Sequence, residues 1–336
     1  MINLVSRAGS RGPVGGTPKL FANLTKGLDR IGYPYVVNQR LDACRRLWIQ
    51  DDLRAVRFLP KGVKAVFGPA IYPFNLPSRD LGDDALYVYP SAWAQEHWTA
   101  IGLGVRPSVW WPVGVDVDAF PERPPHQGQR VLVYHKHRTD DDLKTATDAL
   151  ERRGIPYRVL RYGGYSEDEF RALLRETSFA VWVAGTESQG LAMAEAMASG
   201  VPVVVYDCTR LTQNWGTDLD FAAVDAPVAV TSAPYFDDRC GIKAPGAEDL
   251  ERAIDVMRDA WRSYAPRQYV VEELALERQA RAFVALWERW GLTFEEGLRE
   301  RPSRSGELRL PPTWIAHAVV RRLRSRRYFR RMPRAN

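Results

Sequence analysis

Residues Ser178–Asp207 read SFAVWVAGTESQGLAMAEAMASGVPVVVYD and predict a strand, a tight loop, a short helix and a second strand. The run Phe179–Ala184 is apolar throughout, which is typical of a strand buried on both faces of a parallel sheet. Strong helix formers occupy Leu191–Ser199, and a glycine and then a proline follow where a helix should end. Val201–Tyr206 predicts the next strand. The stretch therefore predicts a β-α-β unit and an α/β fold.

The turn between this strand and helix, Gly185–Gly190, has the features of an anion-binding site. The first N–H groups of a helix lack intrahelical acceptors, and the helix dipole adds positive charge there. Such a turn is a ready seat for a phosphate or diphosphate. The backbone amides expected to form it belong to Ser188, Gln189, Gly190 and Leu191.

Two carboxylates flank the seat at a fixed spacing. Glu187 lies in the loop and Glu195 about two turns into the helix, so about 12 Å of helix rise separates them. This separation is too long for two carboxylates that share a proton. It suits one elongated ligand that is contacted at both ends.

The E-x7-E pair, followed by A-M-A-x-G-x-P-V, resembles the donor-binding motif of retaining glycosyltransferases of the GT-B fold, in particular family 4. In that family the first glutamate lies by the donor sugar hydroxyls and the second holds the ribose of the nucleotide. The resemblance gives these roles to Glu187 and Glu195. It also implies two Rossmann-like, doubly wound α/β domains that face each other across a cleft.

Composition is that of a globular protein, and 336 residues with 45% hydrophobic content favour two domains. Three scattered cysteines in no metal-binding spacing indicate a reducing compartment without disulfides or structural zinc. The N-terminus lacks the apolar core of a signal peptide, and no apolar run has the length of a membrane span. We therefore expect a cytoplasmic protein.

The net charge of +6 is concentrated at the C-terminus, where Arg321–Asn336 carries eight arginines and no acidic residue. Aromatic and aliphatic residues interleave with the arginines of Arg321–Arg334, which favours a basic amphipathic helix on an anionic membrane surface. A disordered solubilising tail is the main alternative. Binding to nucleic acid is the least favoured of the three.

The N-terminal segment predicts a first β-α unit. Ile2–Ser6 is a short apolar strand, Arg7–Pro18 is a loop rich in glycine and arginine, and leucines at helical spacing predict a helix over Pro18–Gly32. Tyr35–Asn38 predicts the second strand. The unit resembles the opening of a GT-B N-terminal domain, in which this loop faces the cleft.

Two glycines of that loop, Gly15 and Gly16, are expected to let the backbone approach the ligand. Arg7 and Arg11 are either contacts for phosphate or acceptor or, as we favour, solvated side chains of a plain turn. The loop lacks the G-x-G-x-x-G spacing of a dinucleotide site, and NAD is therefore disfavoured.

Further along the first half, Val63–Gly68 and Leu86–Tyr89 predict buried strands, and Ser91 is the expected N-cap of a helix that begins at Ala92. Arg40–Pro60 is interpreted as mixed helix and loop. His97 is interpreted as structural. Since no histidine lies near the N-terminal loop, the general base of inverting GT-B enzymes is missing, which favours retention of configuration.

The stretch Trp110–Phe120, WWPVGVDVDAF, is similar to the P-x-G-V-D-x-x-x-F sequence with which family 4 enzymes enter their second domain. Its Asp116 and Asp118 spell D-x-D, but in a linker, so we do not predict a metal site there. The predicted organisation is an acceptor-side domain over residues 1–112, a nucleotide-sugar-binding domain over 113–290, and a crossover with the arginine-rich tail over 291–336.

Arg130–Tyr134 predicts the first strand of the second half, and basic residues follow at its carboxyl end, where ligands of open α/β sheets gather. Family 4 enzymes use an arginine and a later lysine near this place to bind the donor diphosphate. Lys136 or Arg138 can stand for the first of these. Asp140–Asp142 occupies the place of the second and more plausibly begins a helix capped by Thr139.

The rest of the second half predicts a strand over Tyr157–Leu160 and a helix over Glu167–Arg175 that opens with a capping box at Ser166. A strand near Phe221–Val224 and helices over Ala247–Ala260 and Gln268–Gly291 complete it.

The sequence thus predicts a metal-independent, retaining glycosyltransferase of the hexosyltransferase type. Its donor would be a UDP- or GDP-sugar, its acceptor a saccharide or a lipid-linked saccharide, and its place the cytoplasm or the inner face of the membrane, in polysaccharide biosynthesis. The alternatives are a sugar-nucleotide 2-epimerase of the same fold and a non-catalytic binding or scaffold protein.

Overall fold

The computed structural model describes residues 1–6, 16–51, 55, 58–73, 76, 78–122, 130–216 and 221–290. Arg7, Arg11, Gly15 and the whole segment 291–336, with its arginine-rich tail, lie outside the described residues. Within the described residues the strands form two separate sheets, and all strand pairs are parallel. The predicted α/β class with two parallel-sheet domains is confirmed.

The first sheet is formed by residues of the N-terminal half. Its strands are β1 (Ile2–Val5), β2 (Tyr35–Val37), β3 (Arg46–Ile49), β4 (Lys64–Phe67), β5 (Ala85–Tyr89) and β6 (Ser108–Trp110). They lie in the order β2-β1-β3-β4-β5-β6. Helices α1 (Gly16–Arg30) and α2 (Ala92–Ala100) flank this sheet.

The second sheet follows the linker. Its strands are β7 (Arg130–Lys136), β8 (Tyr157–Arg161), β9 (Thr177–Ala184), β10 (Val203–Tyr206) and β11 (Gly241–Ala244), and their order is β11-β10-β9-β7-β8. Its helices are α3 (Asp140–Glu151), α4 (Glu167–Glu176), α5 (Leu191–Ala198), α6 (Ala247–Ala260) and α7 (Pro266–Glu273).

Each face of the second sheet is covered by helices, because successive residues of a strand point to opposite faces. Tyr134 and Trp182 pack with α4, α5 and α7 on one face. Val133 and Val181 pack with α3 and α6 on the other. This double cover explains why β9 is apolar over Phe179–Ala184, the run from which the sequence predicted a strand.

The chain returns to the first half at its described C-terminal end. The predicted single helix Gln268–Gly291 is wrong: α7 stops at Glu273, and α8 (Leu276–Ala285) continues in a new direction before a 3-10 turn over Leu286–Trp290. Phe283 and Trp287 lie in the core of the first sheet, with β1 and α1. Residues 276–290, assigned by the sequence to the second domain, therefore pack with the first.

Close contact between α1 and α8 depends on a glycine. A Cβ atom at Gly27 would lie 2.8 Å from the carbonyl oxygen of Leu276 and 3.1 Å from the Cβ of Ala280. The indole of Trp111 donates to the carbonyl of Gln279 at 3.1 Å, which ties α8 to the end of the first sheet.

Two other predictions were wrong and three strands were missed. Arg40–Pro60 contains the missed strand β3, and Phe221–Ala223 is a 3-10 turn instead of a strand. The other missed strands are β6 and β11, which have three and four residues. The remaining predicted strands and helices are confirmed within a few residues at their ends.

Two of the predicted helix caps form as expected. The Thr139 hydroxyl accepts from the amide of Asp142 in a full capping box, and the Ser166 hydroxyl accepts from the amide of Glu169. Ser91 precedes α2, but its side chain makes no capping bond to that helix. Among the helices of the described residues, none is long and apolar enough to cross a membrane.

Candidate active site

The loop Gly185–Gly190 connects the carboxyl end of β9 to α5, and its path depends on two glycines. A Cβ atom at Gly185 would lie 2.2 Å from Oδ1 of Asn214 and 2.9 Å from the carbonyl oxygen of His137. The space is used by the Asn214 side chain, which accepts from the Thr186 amide at 2.8 Å. Gly190 precedes the helix with a φ of 75°, a left-handed conformation that favours glycine.

The start of α5 presents unused backbone donors. No acceptor for the amides of Gln189, Gly190 and Leu191 is found among the residues that the structure describes. Helix geometry explains this for Leu191, because the first turn of a helix has no preceding carbonyl to bond. The amides predicted to seat a phosphate are thus available for a ligand.

Glu187 is held from three directions. Its amide donates to the carbonyl of Thr231 at 3.1 Å, and its own carbonyl accepts from the indole of Trp93 at 3.0 Å. Its carboxylate is buried, and Lys136 Nζ donates to Oε1 at 2.9 Å and to Oε2 at 2.8 Å. Because Trp93 belongs to α2, the first half of the molecule helps to place this glutamate.

Lys136 stands at the carboxyl end of β7, as predicted, and joins Glu187 to an exposed aromatic group. Its ammonium lies 4.7 Å from the ring centroid of Tyr162, which is 51% exposed. His137 follows with a φ of 52°, and its ring lies 5.8 Å from that of Tyr162. Burial, and next the positive charge of Lys136, lower the pKa of His137 and so favour its neutral form.

Arg138 faces a different set of partners. Its Nε and Nη2 donate to the two carboxylate oxygens of Asp142 at 3.0 and 2.9 Å, and Nη1 donates to the carbonyl of Tyr206 at 3.3 Å. The side chain is buried, and its guanidinium stacks on the ring of Tyr206. Three of its five N–H groups are therefore engaged within the protein and its side chain is only 3% exposed, whereas the side chain of Lys136, which binds Glu187, is 20% exposed.

Glu195 lies on α5 with its carboxylate buried, and α1 supplies the opposite charge. Lys19 Nζ forms an ion pair with Glu195 Oε1 and a second one with Glu167 Oε2 at 3.0 Å. Burial raises the pKa of Glu195 from 4.5 to about 7, against the lowering effect of Lys19. The two site glutamates are thus held by different lysines, one from each half of the molecule.

Further bonds close the two halves on each other beside the site. The amide side chain of Gln189 accepts from the N–H of Val113 at 3.0 Å and donates to the carbonyl of Val113 at 2.6 Å. The hydroxyl of Tyr235 donates to the carbonyl of Pro90 at 2.6 Å. His97 is buried, and its Nε2 forms a hydrogen bond with the carbonyl of Val224 at 2.9 Å.

Sequence reasoning missed Lys19, Trp93 and Asn214, because each touches the site from a distant segment. Of the three, only Lys19 could have been found from its local sequence, because it lies in the first turn of the helix that follows the glycine-rich loop. Gly16, predicted to approach the ligand, is the first residue of α1, and a Cβ atom there would meet no atom within 4 Å.

The two aspartates of the D-x-D sequence in the linker form ion pairs with basic residues of α1. Asp116 forms ion pairs with Lys26 and Arg30, and Arg30 also binds Asp118 at 2.7 Å. Arg30 reaches Glu277 of α8 as well, at 3.0 Å. Within the described part of the chain, no group of three or more metal-ligating side chains is found.

Two parallel-sheet α/β units whose loops meet across an interface, together with a last described helix that packs against the first unit, are the architecture of the GT-B fold. Solved structures agree. Sucrose-phosphate synthase of Thermosynechococcus elongatus matches with a TM-score of 0.55 at 13% identity, over 86% of this chain and 98% of that one.

Two further structures match at similar levels. They are the lipopolysaccharide outer core galactosyltransferase WaaB (TM-score 0.54, 12% identity, 86% and 99% coverage) and HepE of Anabaena in complex with UDP (TM-score 0.52, 11% identity, 85% and 99% coverage). At these identities the likeness establishes the fold. No family model and no curated protein sequence matches the chain.

Proposed function

We propose that the protein is a retaining glycosyltransferase that moves a hexose from a nucleoside-diphosphate sugar to a saccharide or lipid-linked acceptor. The observation that carries the proposal is the arrangement of Glu187. Its buried carboxylate is bonded by Lys136 beside the amides at the start of α5, and its backbone carbonyl accepts from the indole of Trp93 in the first half. A second buried carboxylate, Glu195, follows two turns later.

Each part of this arrangement has a role in the proposed reaction. The amides of Gln189, Gly190 and Leu191, together with Lys136, stabilise the negative charge that develops on the leaving diphosphate. Glu187 orients the donor sugar and stabilises the oxocarbenium-like positive charge at its anomeric carbon. Glu195 accepts hydrogen bonds from the ribose hydroxyls.

The reaction needs no base from the protein in this scheme. The bond between the anomeric carbon and the diphosphate oxygen breaks, and the acceptor hydroxyl attacks from the same face. The leaving diphosphate oxygen takes the acceptor proton. Arg138 is not assigned to the diphosphate, because its side chain is buried and already pairs with both carboxylate oxygens of Asp142.

UDP is the first donor nucleotide to test, because the HepE structure of the same fold holds UDP. Donors with GDP remain in the proposal. WaaB, a galactosyltransferase that acts on a lipopolysaccharide core by its name, makes a lipid-linked acceptor reasonable here as well. The arginine-rich segment Arg321–Arg334 would bring such an acceptor close, by binding an anionic membrane surface.

The experiment is a calorimetric titration of the full chain with UDP, GDP and a panel of their sugar conjugates, followed by a transfer assay with the donor that binds. We expect one donor to bind, and to be consumed only when an acceptor is added. Consumption of the sugar nucleotide without an acceptor, with inversion at C2, would replace the proposal with the epimerase. Failure of every nucleotide to bind would leave a scaffold protein.

A further inference from the structure

Lys19 lies in the first turn of α1 and reaches from the first half of the molecule into the second. Its ammonium contacts Oε1 of Glu195, bonds Oε2 of Glu167 at 3.0 Å, and lies 5.3 Å from the ring centroid of Phe120. The Glu195 side chain is 4% exposed and that of Lys19 is 20% exposed. The pair is thus largely shielded from water and joins the two halves at the nucleotide site.

The charged groups around Glu195 have opposing effects on the ionisation of its carboxylate. Lys19 from α1 and Arg171 from α4 favour the ionised carboxylate, whereas Glu167 from α4 opposes it, and burial opposes it most strongly. Tyr165, just before α4, also faces Glu195. Among these groups Lys19 alone bonds the Glu195 carboxylate directly, so the main support for its charge comes from the other half of the molecule.

The protonation state of Glu195 determines which hydrogen bonds it can form with ribose hydroxyls. An ionised carboxylate is an acceptor at both oxygens, whereas a protonated one has to place its own O–H as a donor. Lys19 occupies Oε1 and leaves Oε2 and the remaining lone pairs for ligand hydroxyls. A hydrogen bond to a charged acceptor is also about twice as strong as a neutral one.

We infer that Lys19 is a positioning residue of the nucleotide site: from the first half, it holds the Glu195 carboxylate in place as a charged acceptor for the ribose hydroxyls. The inference rests on the proposed function. Its consequence is that a nucleotide site carried by the second half is completed only when α1 is docked against it. Nucleotide affinity and contact between the two halves are therefore coupled through one ion pair.

The test is the pH dependence of UDP binding, measured by calorimetry for the wild type and three variants between about pH 5.5 and 8.5, with GDP if it is the nucleotide that binds. The wild type should lose affinity as pH falls through the pKa of Glu195, which is about 7. Lys19→Met should move that midpoint up by about one pH unit or more and weaken binding at pH 7 about tenfold. Glu167→Gln should move it down, because a like charge is removed.

Lys19→Arg is the conservative control and should keep the midpoint of the wild type, because it keeps the charge. The diphosphate titrates identically in all variants, so differences between variants report the protein. Thermal unfolding of each variant checks that it is folded. A merely structural Lys19 would weaken binding equally at every pH, and that result, or a Lys19→Met variant that binds like the wild type, overturns the inference.

Glu195→Gln separates this inference from the proposed function. If Glu195→Gln weakens UDP binding while Lys19→Met follows the wild type at each pH, the inference alone is wrong. If the wild type binds neither UDP nor GDP, or if Glu195→Gln binds as tightly as the wild type, the proposed role of Glu195 fails, and the inference fails with it.

Discussion

The side chain of Gln189 forms two hydrogen bonds with the backbone of Val113, one to its N–H and one to its carbonyl. Gln189 belongs to the loop of the proposed donor site, and Val113 belongs to the linker that enters the second half. The amide pair is buried. A displacement of the loop by a bound diphosphate would therefore be transmitted to the linker without any intervening group.

The first prediction concerns this pair. Gln189→Leu should lower the free energy of unfolding by about 1–3 kcal/mol, because it leaves the buried N–H and C=O of Val113 without partners. Chemical denaturation measures this change. Gln268→Leu is the matched control, since Gln268 is exposed and bonds only Glu272 in the described structure. Equal stability of both variants would contradict a structural link at Val113.

The second prediction concerns the space at Gly185. Gly185→Ala should destabilise the protein by about 2 kcal/mol or more and abolish nucleotide binding, because the added methyl group would overlap the Asn214 side chain and approach the His137 carbonyl. Thermal unfolding and UDP titration measure the two effects. Gly164→Ala, whose added Cβ would find its nearest contact at 3.4 Å, should leave the melting temperature almost unchanged. A fully stable Gly185→Ala variant would show that this loop relaxes freely.

The third prediction is a stability profile against pH. Burial raises the pKa of Glu195 from 4.5 to about 7, so the folded state binds more protons than the unfolded state between these values. The contribution of Glu195 to stability is thus fully present below pH 4.5 and is lost as pH rises to 7. Glu195→Gln removes this dependence. As the pH rises from 4.5 to about 7, the free energy of unfolding of the variant should therefore increase relative to that of the wild type, by up to about 3 kcal/mol.

Denaturation of both proteins at a series of pH values measures this gain. Glu176→Gln, at an exposed position of α4 that has only a distant ion pair with Arg130 at 4.0 Å, is the control for removal of one carboxylate. A constant difference for Glu195→Gln would mean that Glu195 titrates alike in the folded and unfolded states.

Local patterns predicted the parts of the fold that depend on local physics. The apolar runs of β9 and β10, the caps at Thr139 and Ser166, and the helix start after Gly190 follow from burial, capping and backbone freedom. The missed strand β3 begins with Arg46, a charged residue that is nonetheless buried and donates to the Tyr33 hydroxyl. A partner 13 residues away is not visible in the pattern of the strand itself.

The missed strand β11 and the break before α8 have similar causes. Gly241, the first residue of β11, has a φ of 141°, and a Cβ atom there would lie 2.0 Å from the carbonyl oxygen of Val203, so close pairing with β10 requires a glycine at this position. The helix breaks at Leu274 and Ala275, although neither residue is a glycine or a proline. The chain turns there because Val115 bonds the Leu274 carbonyl, a contact with the distant linker.

The candidate site likewise contains residues that a local pattern marks and residues that reach it from distant parts of the chain. Glu187, Glu195 and Lys136 were predicted because a motif and a strand end mark them. Lys19 and Trp93 were not, because they reach the site only once the two halves are docked. Arg138 and Lys136 could not be told apart by sequence, since the difference lies in which carboxylate each one meets, Asp142 or Glu187.

The last prediction concerns the Lys136–Glu187 pair. Glu187→Gln keeps the shape of the side chain but removes the charge that would stabilise the sugar, so kcat should fall by about 10²–10³ while UDP affinity changes little. Lys136→Met removes the proposed diphosphate contact and also leaves the Glu187 charge buried without its partner, so it should lower UDP affinity, kcat and stability together. The double variant should be more stable than Lys136→Met alone, because no unpaired charge remains.

Arg138→Met is the comparison. It should lower stability, because Asp142 loses its ion-pair partner, without a specific loss of kcat. If Arg138→Met instead lowers kcat more than Lys136→Met, the diphosphate contact belongs to Arg138 and the assignment of the two basic residues must be exchanged.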